Sequence, residues 1–367
     1  MNILKTNKIK YKKKLKKKIY LFMEKRYSAD PYLQIDSNTN QKKIISRRSC
    51  DLLLLNSKEP KSLKYLGNRT KSKSPFRVQS KLQLKGIISS NTINVNEFKE
   101  KSPETNKSFK DISFIQFQNE SYRDYMEDRF SILINFPNNE EKALFAIFDG
   151  HGGSIISEFL CQNFISFFLK QYQKYEIKNY AKIFQKTFSS LNEEIKKISN
   201  SYKMGSTATI ILITKEIDQI LGSQKVIYCA NIGDTNCELF SKSNCKRISY
   251  EHRCSDSVEE NRIKKGNGSI INGRVGGIIS VTRSFGDFQC KDFGLICEPY
   301  INKVNVNCNE KNFLILATDG IWDYISEEDI FFITMNNNDS MIVCKNIIDK
   351  AKLNGSTDNM TCMVINL

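Results

Sequence analysis

The chain has 367 residues, a formal net charge of +16 and 11 cysteines. The charge is lopsided: residues 1–110 hold 28 Lys+Arg against 8 Asp+Glu, a net of +20, which leaves −4 for the rest. No apolar run reaches the width of a bilayer and no Cys-x-x-Cys pair occurs, which excludes a membrane-spanning helix and a cysteine-based zinc module.

Residues 1–110 read as a basic, largely disordered tail. Lys12-Lys13-Lys14-Leu15-Lys16-Lys17-Lys18 is a block of like charge, followed by polar segments in which only Leu52–Leu55 and Leu82–Ile88 are notably apolar. Such a composition buries too little surface to offset chain entropy. The Lys block is either a solvated tail or a contact for anionic membrane, nucleic acid or an import receptor. Arg47-Arg48-Ser49 has the form of a basophilic kinase site, a triplet common by chance. Ile19–Met23 is too short and too far along the chain for a signal peptide. Scattered thiols without pairing signatures suit a reducing, intracellular compartment, cytoplasmic or nuclear.

From residue 111 onward the pattern is that of one folded domain, 111–367. Phe130, Ile132, Ile134 and Phe136 alternate with Ser131, Leu133 and Asn135, as in a half-buried strand. The run Leu144–Phe148 follows a polar turn and predicts the second arm of a hairpin. Ile156, Leu160, Phe164 and Phe167, then Phe184, Phe188, Leu191, Ile195 and Ile198, recur at helical spacing and predict two amphipathic helices. Strands are predicted at Thr207–Ile213, Val226–Ile232 and Glu238–Ser241. Ser257-Val-Glu-Glu260 has the form of a capping box, and Gly266 closes that short helix. The apolar run Phe313–Thr318 reads as a buried strand; helices then begin at Ser326 and near Met341, and a final strand covers Met360–Ile365. Strands come in neighbouring pairs and helices in groups, which predicts an α+β layered sandwich.

Acidic clusters punctuate this domain: Glu127-Asp128, Asp149-Gly150-His151-Gly152-Gly153, Gly233-Asp234, Asp319-Gly320 with Asp323, and Asp358-Asn359. Asp149 and Asp319 each end a hydrophobic run, and a carboxylate at the tip of a buried strand is costly without a compensating cation or hydrogen bonds. Any one cluster could be a loop or a cap. If they converge, only multivalent cations hold them ionised together, and an all-oxygen donor set points to Mg2+ or Mn2+.

Seven segments together resemble the metal-dependent Ser/Thr protein phosphatases of type 2C. They are Arg123–Asp128, Phe148–Gly153, Gly205-Ser206-Thr207-Ala208, Ala230–Asp234, Val281–Asp287, Ala317–Asp323 and Asp358–Thr361, in the expected order over roughly 113–367. The resemblance implies a four-layer α-β-β-α sandwich with two central antiparallel sheets and two metal ions at one end. It implies that Asp149 bridges the ions, that Glu127 and the carbonyl of Gly150 hold one, and that Asp319 and Asp358 hold the other. Asp128 would act through metal-bound water, and Asp234 with Asp319 and Asp323 would line a weaker third site. Arg123 would bind the phosphate and His151 would act as general acid. Taken alone, Arg123 reads as a surface ion pair and His151 as a turn residue. Arg283 is expected to hold loops together and not to touch substrate.

The implied activity is hydrolysis of phosphoserine and phosphothreonine in phosphoprotein substrates by a monomeric enzyme. The competing reading is a catalytically weak phosphatase-like scaffold that binds a kinase or adaptor. Its mark would be lost ligands, and every main ligand position is filled. Two departures bear on substrate choice: Thr235-Asn236 stands where the family has Ser-Arg, and Glu251-His252-Arg253-Cys254 where it has Asp-His-Lys-Pro.

Overall fold

The computed structural model describes residues 87–90, 97–101 and 108–367, apart from gaps at 135, 138, 140, 176–178 and 219–221. The Lys12–Lys18 block, Ile19–Met23, Arg47-Arg48-Ser49 and Leu52–Leu55 lie outside these residues. Two six-stranded antiparallel sheets dominate. The first runs β1 (Ile87–Ser89), β4 (Arg129–Leu133), β5 (Ala143–Phe148), β8 (Ala208–Asp218), β9 (Gly222–Ile232), β15 (Tyr300–Val306). The second runs β11 (Cys245–Arg247), β10 (Asn236–Ser241), β16 (Asn312–Ala317), β17 (Met360–Asn366), β3 (Asp111–Phe117), β2 (Glu97–Lys101). Helices α1 (Ile155–Gln173) and α2 (Tyr180–Ile195) cover the first sheet, and α6 (Glu327–Asn336) and α7 (Ser340–Leu353) cover the second. This is the α+β sandwich the sequence predicts.

Strand alternation sorts side chains into layers. Phe145 and Ile147 of β5 point into the inter-sheet core with Phe114, Phe130, Ile132, Leu314, Leu316 and Met363. Their neighbours Leu144, Ala146 and Phe148 face outward onto Ile156, Leu160, Phe164, Phe184 and Phe188 of the helices. On the second sheet Phe313, Ile315 and Val364 face Val343, Cys344 and Ile347 of α7 in the same way. A fully buried side chain of this kind contributes roughly 1.5–3 kcal/mol. β4 is therefore not half-buried, as its alternation suggested: Ser131 and Leu133 are as buried as Phe130 and Ile132, because α1 covers the second face.

Local expectations hold with small shifts. The α1 stripe closes on Phe168, with Phe167 only partly buried. Ser326 caps α6 by accepting the Asp329 N–H. At α3 (Ser257–Lys265) the cap is Asp256, whose side chain accepts the Val258 and Glu259 N–H groups, so Ser257 is the first helical residue and not the cap.

The folded unit also begins earlier than residue 111. β1 pairs with β4 through Ile87↔Leu133 and Ile88↔Ile132, and β2 pairs with β3 from Glu97↔Ile115 to Lys101↔Asp111. A strand boundary drawn from composition misses these because each is short and flanked by polar residues. Both cover sheet edges, whose exposed N–H and C=O groups would otherwise invite pairing with other chains. A protein starting at residue 111 is expected to melt roughly 2–4 °C below one starting at residue 79, and to aggregate more readily. Equal melting temperatures in a thermal scan would show that β1 and β2 add nothing.

Candidate active site

Antiparallel pairing brings the acidic segments to one end of the sandwich. Phe148, which precedes Asp149, pairs with Arg129, which follows Glu127 and Asp128. Ala317, two residues before Asp319, pairs with both Asn236 and Cys362, the strand neighbours of Asp234 and Asp358. Asp319 then opens the short helix α5 (Asp319–Trp322). Gly320 is required behind it, since a Cβ there would lie inside contact distance of the Asn359 carbonyl oxygen.

The result is a cavity of about 330 Å³ lined by Arg123, Glu127, Asp149, Gly150, His151, Asp234, Asp287, Asp319 and Asp358. Carboxylate oxygens of Asp149, Asp234 and Asp319 lie within 4.8 Å of one another. Burial pushes the Asp149 carboxyl well above the usual carboxylate range, and repulsion from Asp128, Asp319, Asp234 and Asp358 pushes it further. Asp319 is raised for the same reasons, against the pull of Arg253. Groups so placed stay ionised together only beside a cation, and the donors are hard oxygens that fit Mg2+ or Mn2+.

The other predicted residues occupy distinct roles. Glu127 lines the cavity and accepts the Gly153 N–H at 2.6 Å, while its own N–H donates to Asn359 Oδ1 at 2.8 Å. Asn359 Nδ2 also donates to the Gln118 carbonyl at 2.7 Å, which ties the first and last motifs together. Asp128 does not line the cavity. It is buried behind it, where its Oδ2 accepts the hydroxyls of Thr318 at 3.0 Å and Thr361 at 2.7 Å. Burial raises its carboxyl to about 7, against those two hydrogen bonds. Arg123 stands at the cavity wall with its guanidinium on Asp358 Oδ2 at 2.6 Å.

The cluster assigned to a weaker third ion carries a protein cation. Arg253 reaches Asp234 at 3.0 Å, Asp323 at 3.0 Å and Asp319 at 3.8 Å. Asp323 does not line the cavity. In the sequence Arg253 stands out only as a departure from a family pattern; its signal is a guanidinium beside an acidic neighbour, Glu251. Asp287 closes the Val281–Asp287 motif, which by itself assigns it no role. It sits 2.7 Å from His151 Nε2. Burial pulls the His151 imidazole down, but the charge and hydrogen bond of Asp287 outweigh it and the ring titrates above its ordinary value.

Residues 252–282 form one wall of the cavity, with Arg274, Ile278, Ile279, Ser280 and Val281 facing it. They contain α3 and a hairpin of β12 (Ile270–Ile271) and β13 (Arg274–Val275), around a small core of Cys254, Ile263, Val275, Cys290 and Leu295. Buried Glu259 fastens this wall: it accepts from Arg283 at 2.6 Å, Arg262 at 3.0 Å and the Thr282 hydroxyl at 2.6 Å. Arg283 also donates to the Glu298 carbonyl, so it holds loops together as expected.

Residues 112–360 match the family model for Protein phosphatase 2C. The chain belongs to the protein phosphatase 2C family. It is 31% identical over 264 residues to Protein phosphatase 2C homolog 1 of Saccharomyces cerevisiae, covering 69% of this chain and 92% of that one. It is 31% identical over 270 residues to Protein phosphatase 1L of Bos taurus, covering 70% and 73% respectively. Its fold is similar to that of a serine-threonine phosphatase 2C from Toxoplasma gondii, with a TM-score of 0.58 at 19% identity over 74% of this chain and 98% of that one. As a protein phosphatase 2C the chain is a protein serine/threonine phosphatase, and the acidic cavity is its active-site candidate.

The Glu259 lock gives a pH signature in this phosphatase. Its neighbours, led by the Arg283 hydrogen bond, outweigh burial and hold the carboxyl at about 2, below its ordinary 4.5. A depressed carboxylate stabilises the fold fully above the unfolded pKa and loses that contribution as pH falls towards the folded one. Glu259→Gln should therefore destabilise by about 3 kcal/mol at neutral pH, with the gap to wild type closing between about pH 4.5 and 2. Denaturant titrations across that range check it; a pH-independent gap would show that the charge is not what fastens the wall.

Proposed function

We propose that this chain hydrolyses phosphoserine and phosphothreonine in proteins with Mg2+ or Mn2+ held in the acidic cavity. The supporting observation is the meeting of Asp149, Asp234 and Asp319 within 4.8 Å in a cavity of about 330 Å³ whose lining carries six carboxylates against three cationic side chains, Arg123, Lys203 and Arg274. Asp149 would be shared between two ions, Glu127 and the Gly150 carbonyl would serve one, and Asp319 and Asp358 the other. Bound there, divalent ions would supply Lewis acidity and water ionised near neutral pH. A third ion at Asp234 and Asp323 would have to displace Arg253.

The protein's own groups account for the rest. Arg123 presents a planar fork of donors at the cavity wall, suited to two phosphate oxygens. His151 lines the same cavity and can give a proton to the leaving seryl or threonyl oxygen. Asp128 buttresses the strand ends that carry Glu127 and Asp319, through Thr318 and Thr361. The scaffold reading loses support because every core carboxylate is present and converges.

Asp149→Asn is the decisive variant. Hydrolysis of a phosphoserine peptide should require divalent metal in the wild type and fall by at least about a thousandfold in Asp149→Asn, since the shared ligand is lost. In the metal-free state the same variant should melt at or above the wild type, because one repelling charge is gone, while the rise in melting temperature on adding Mn2+ disappears. Metal-independent turnover that survives the substitution would reject the assignment.

A further inference from the structure

A three-stranded sheet too small to be seen in the sequence sits beside the cavity. β6 (Gly150–His151) pairs with β7 (Gly205–Ser206), and β7 pairs with β14 (Phe285–Gly286). The register is Gly150↔Ser206 and His151↔Gly205 on one side, and Phe285↔Ser206 and Gly286↔Gly205 on the other. Three separate motifs are thereby lined up so that His151 and Asp287 flank Gly205. His151 Nε2 and Asp287 Oδ2 are 2.7 Å apart across it.

We propose that Asp287 is a positioning residue for His151: it fixes the imidazole's tautomer and rotation, so that Nδ1 is the nitrogen left to meet the leaving oxygen of the substrate. An ionised carboxylate only accepts hydrogen bonds, so Nε2 is the donor. Among the described residues Asp287 is the sole hydrogen-bond partner of the His151 ring. The ring is therefore held at one nitrogen and free at the other. Orienting partners of this kind set which nitrogen does the chemistry.

Asp287 is itself held from three directions. Its side chain is 3% exposed. Ser284 Oγ donates to the same Oδ2 at 2.6 Å, and the Asp287 N–H donates to the Met204 carbonyl at 3.0 Å. Its backbone is left-handed at φ 48°, a conformation that Asp tolerates better than most residues. Gly205 completes the arrangement. A Cβ on it would fall inside the Asp287 carboxylate and 2.6 Å from His151 Nε2, so any side chain there breaks the pair.

The inference rests on the hydrolytic reading above. As the attacking water oxygen forms its bond to phosphorus and gives up a proton to solvent, the bond from phosphorus to the seryl oxygen breaks. That oxygen takes the proton from Nδ1, and solvent returns a proton to the ring. A seryl alkoxide needs this proton, whereas p-nitrophenolate leaves readily without it.

The test uses the full chain, whose only two histidines are His151 and His252. With 15N-labelled histidine and no metal, at a pH where the ring is neutral, wild-type His151 should be the Nε2–H tautomer, and Asp287→Ala should give a mixture. With metal, kcat for a phosphoserine peptide should fall at least about tenfold more than kcat for p-nitrophenyl phosphate, a fraction of the 10²–10⁴ available to a general acid. KM should change less than about twofold, and Asp287→Ala should cost nothing further in a His151→Ala background. Should the alanine variant not fold, Asp287→Asn keeps the volume and the left-handed backbone and is measured in the same way. A wild-type Nδ1–H tautomer, equal losses on the two substrates or additive losses with His151→Ala would each overturn the proposal. A wild type inactive on both substrates with metal would count against the hydrolytic reading instead, while the tautomer would still decide whether Asp287 holds the ring.

Discussion

Mutual repulsion among buried and half-buried carboxylates is the constraint around which the rest of the domain is organised. At 4.8 Å, with an effective dielectric of about 20, two such charges oppose each other by roughly 3 kcal/mol. An isolated loop would relax by moving them apart. Here each sits at the end of a strand whose register is fixed by a hydrophobic core on both faces, so moving one would slip a whole strand. The inter-sheet core thus supplies the energy that keeps the charges together, in an arrangement that could hold a metal ion.

The protein's own guanidinium groups partly balance the site. Arg253 takes Asp234 and Asp323, and Arg123 takes Asp358. Among the described residues no cationic side chain pairs with Asp149, and burial and its neighbours raise it well above the usual carboxylate range, as they do Asp319. A divalent ion held in the cavity would meet one carboxylate without a counter-charge and others already engaged. Any ion that uses Asp358 Oδ2 shares that oxygen with Arg123. The two departures from the family pattern lie at this boundary: Arg253 keeps the charge of the family's Lys but brings a planar guanidinium to the cluster, and Asn236 turns its amide onto the Asp234 carbonyl.

The sequence made the sandwich legible because long apolar runs such as Phe145–Phe148 and Phe313–Ala317 can only be buried. It overstated the one-sidedness of β4, since alternation of Phe and Ile with Ser and Leu looks amphipathic until a helix covers the second face. It missed β1 and β2 because edge pairing uses backbone groups, which carry no compositional signal. The acidic residues were legible through their position at the ends of hydrophobic runs. What each one bonds to was not. Asp128 and Thr361 are 233 residues apart, and the 2.7 Å bond between them joins the start of β4 in one sheet to β17 in the other. The same holds for Arg253 on Asp323 and for Asp287 on His151, each a contact between loops of unrelated sequence position.

The segment Thr282–Asp287 shows why short motifs in this domain are so dense. Thr282 and Arg283 hold Glu259 and with it the wall formed by residues 252–282. Ser284 and Asp287 form the cradle beside His151. Phe285 is fully buried against Phe188, with ring centroids 5.0 Å apart, which anchors the segment to the helical layer. Gly286 permits the close pass over Met204 and Gly205 at φ 71°. Six consecutive residues thus connect the wall of the cavity to the His151 ring through a single anchored strand end. Phe285 lies in the chain between Arg283, which holds the wall, and Asp287, which holds His151, so one packed ring fixes both to the same helical layer.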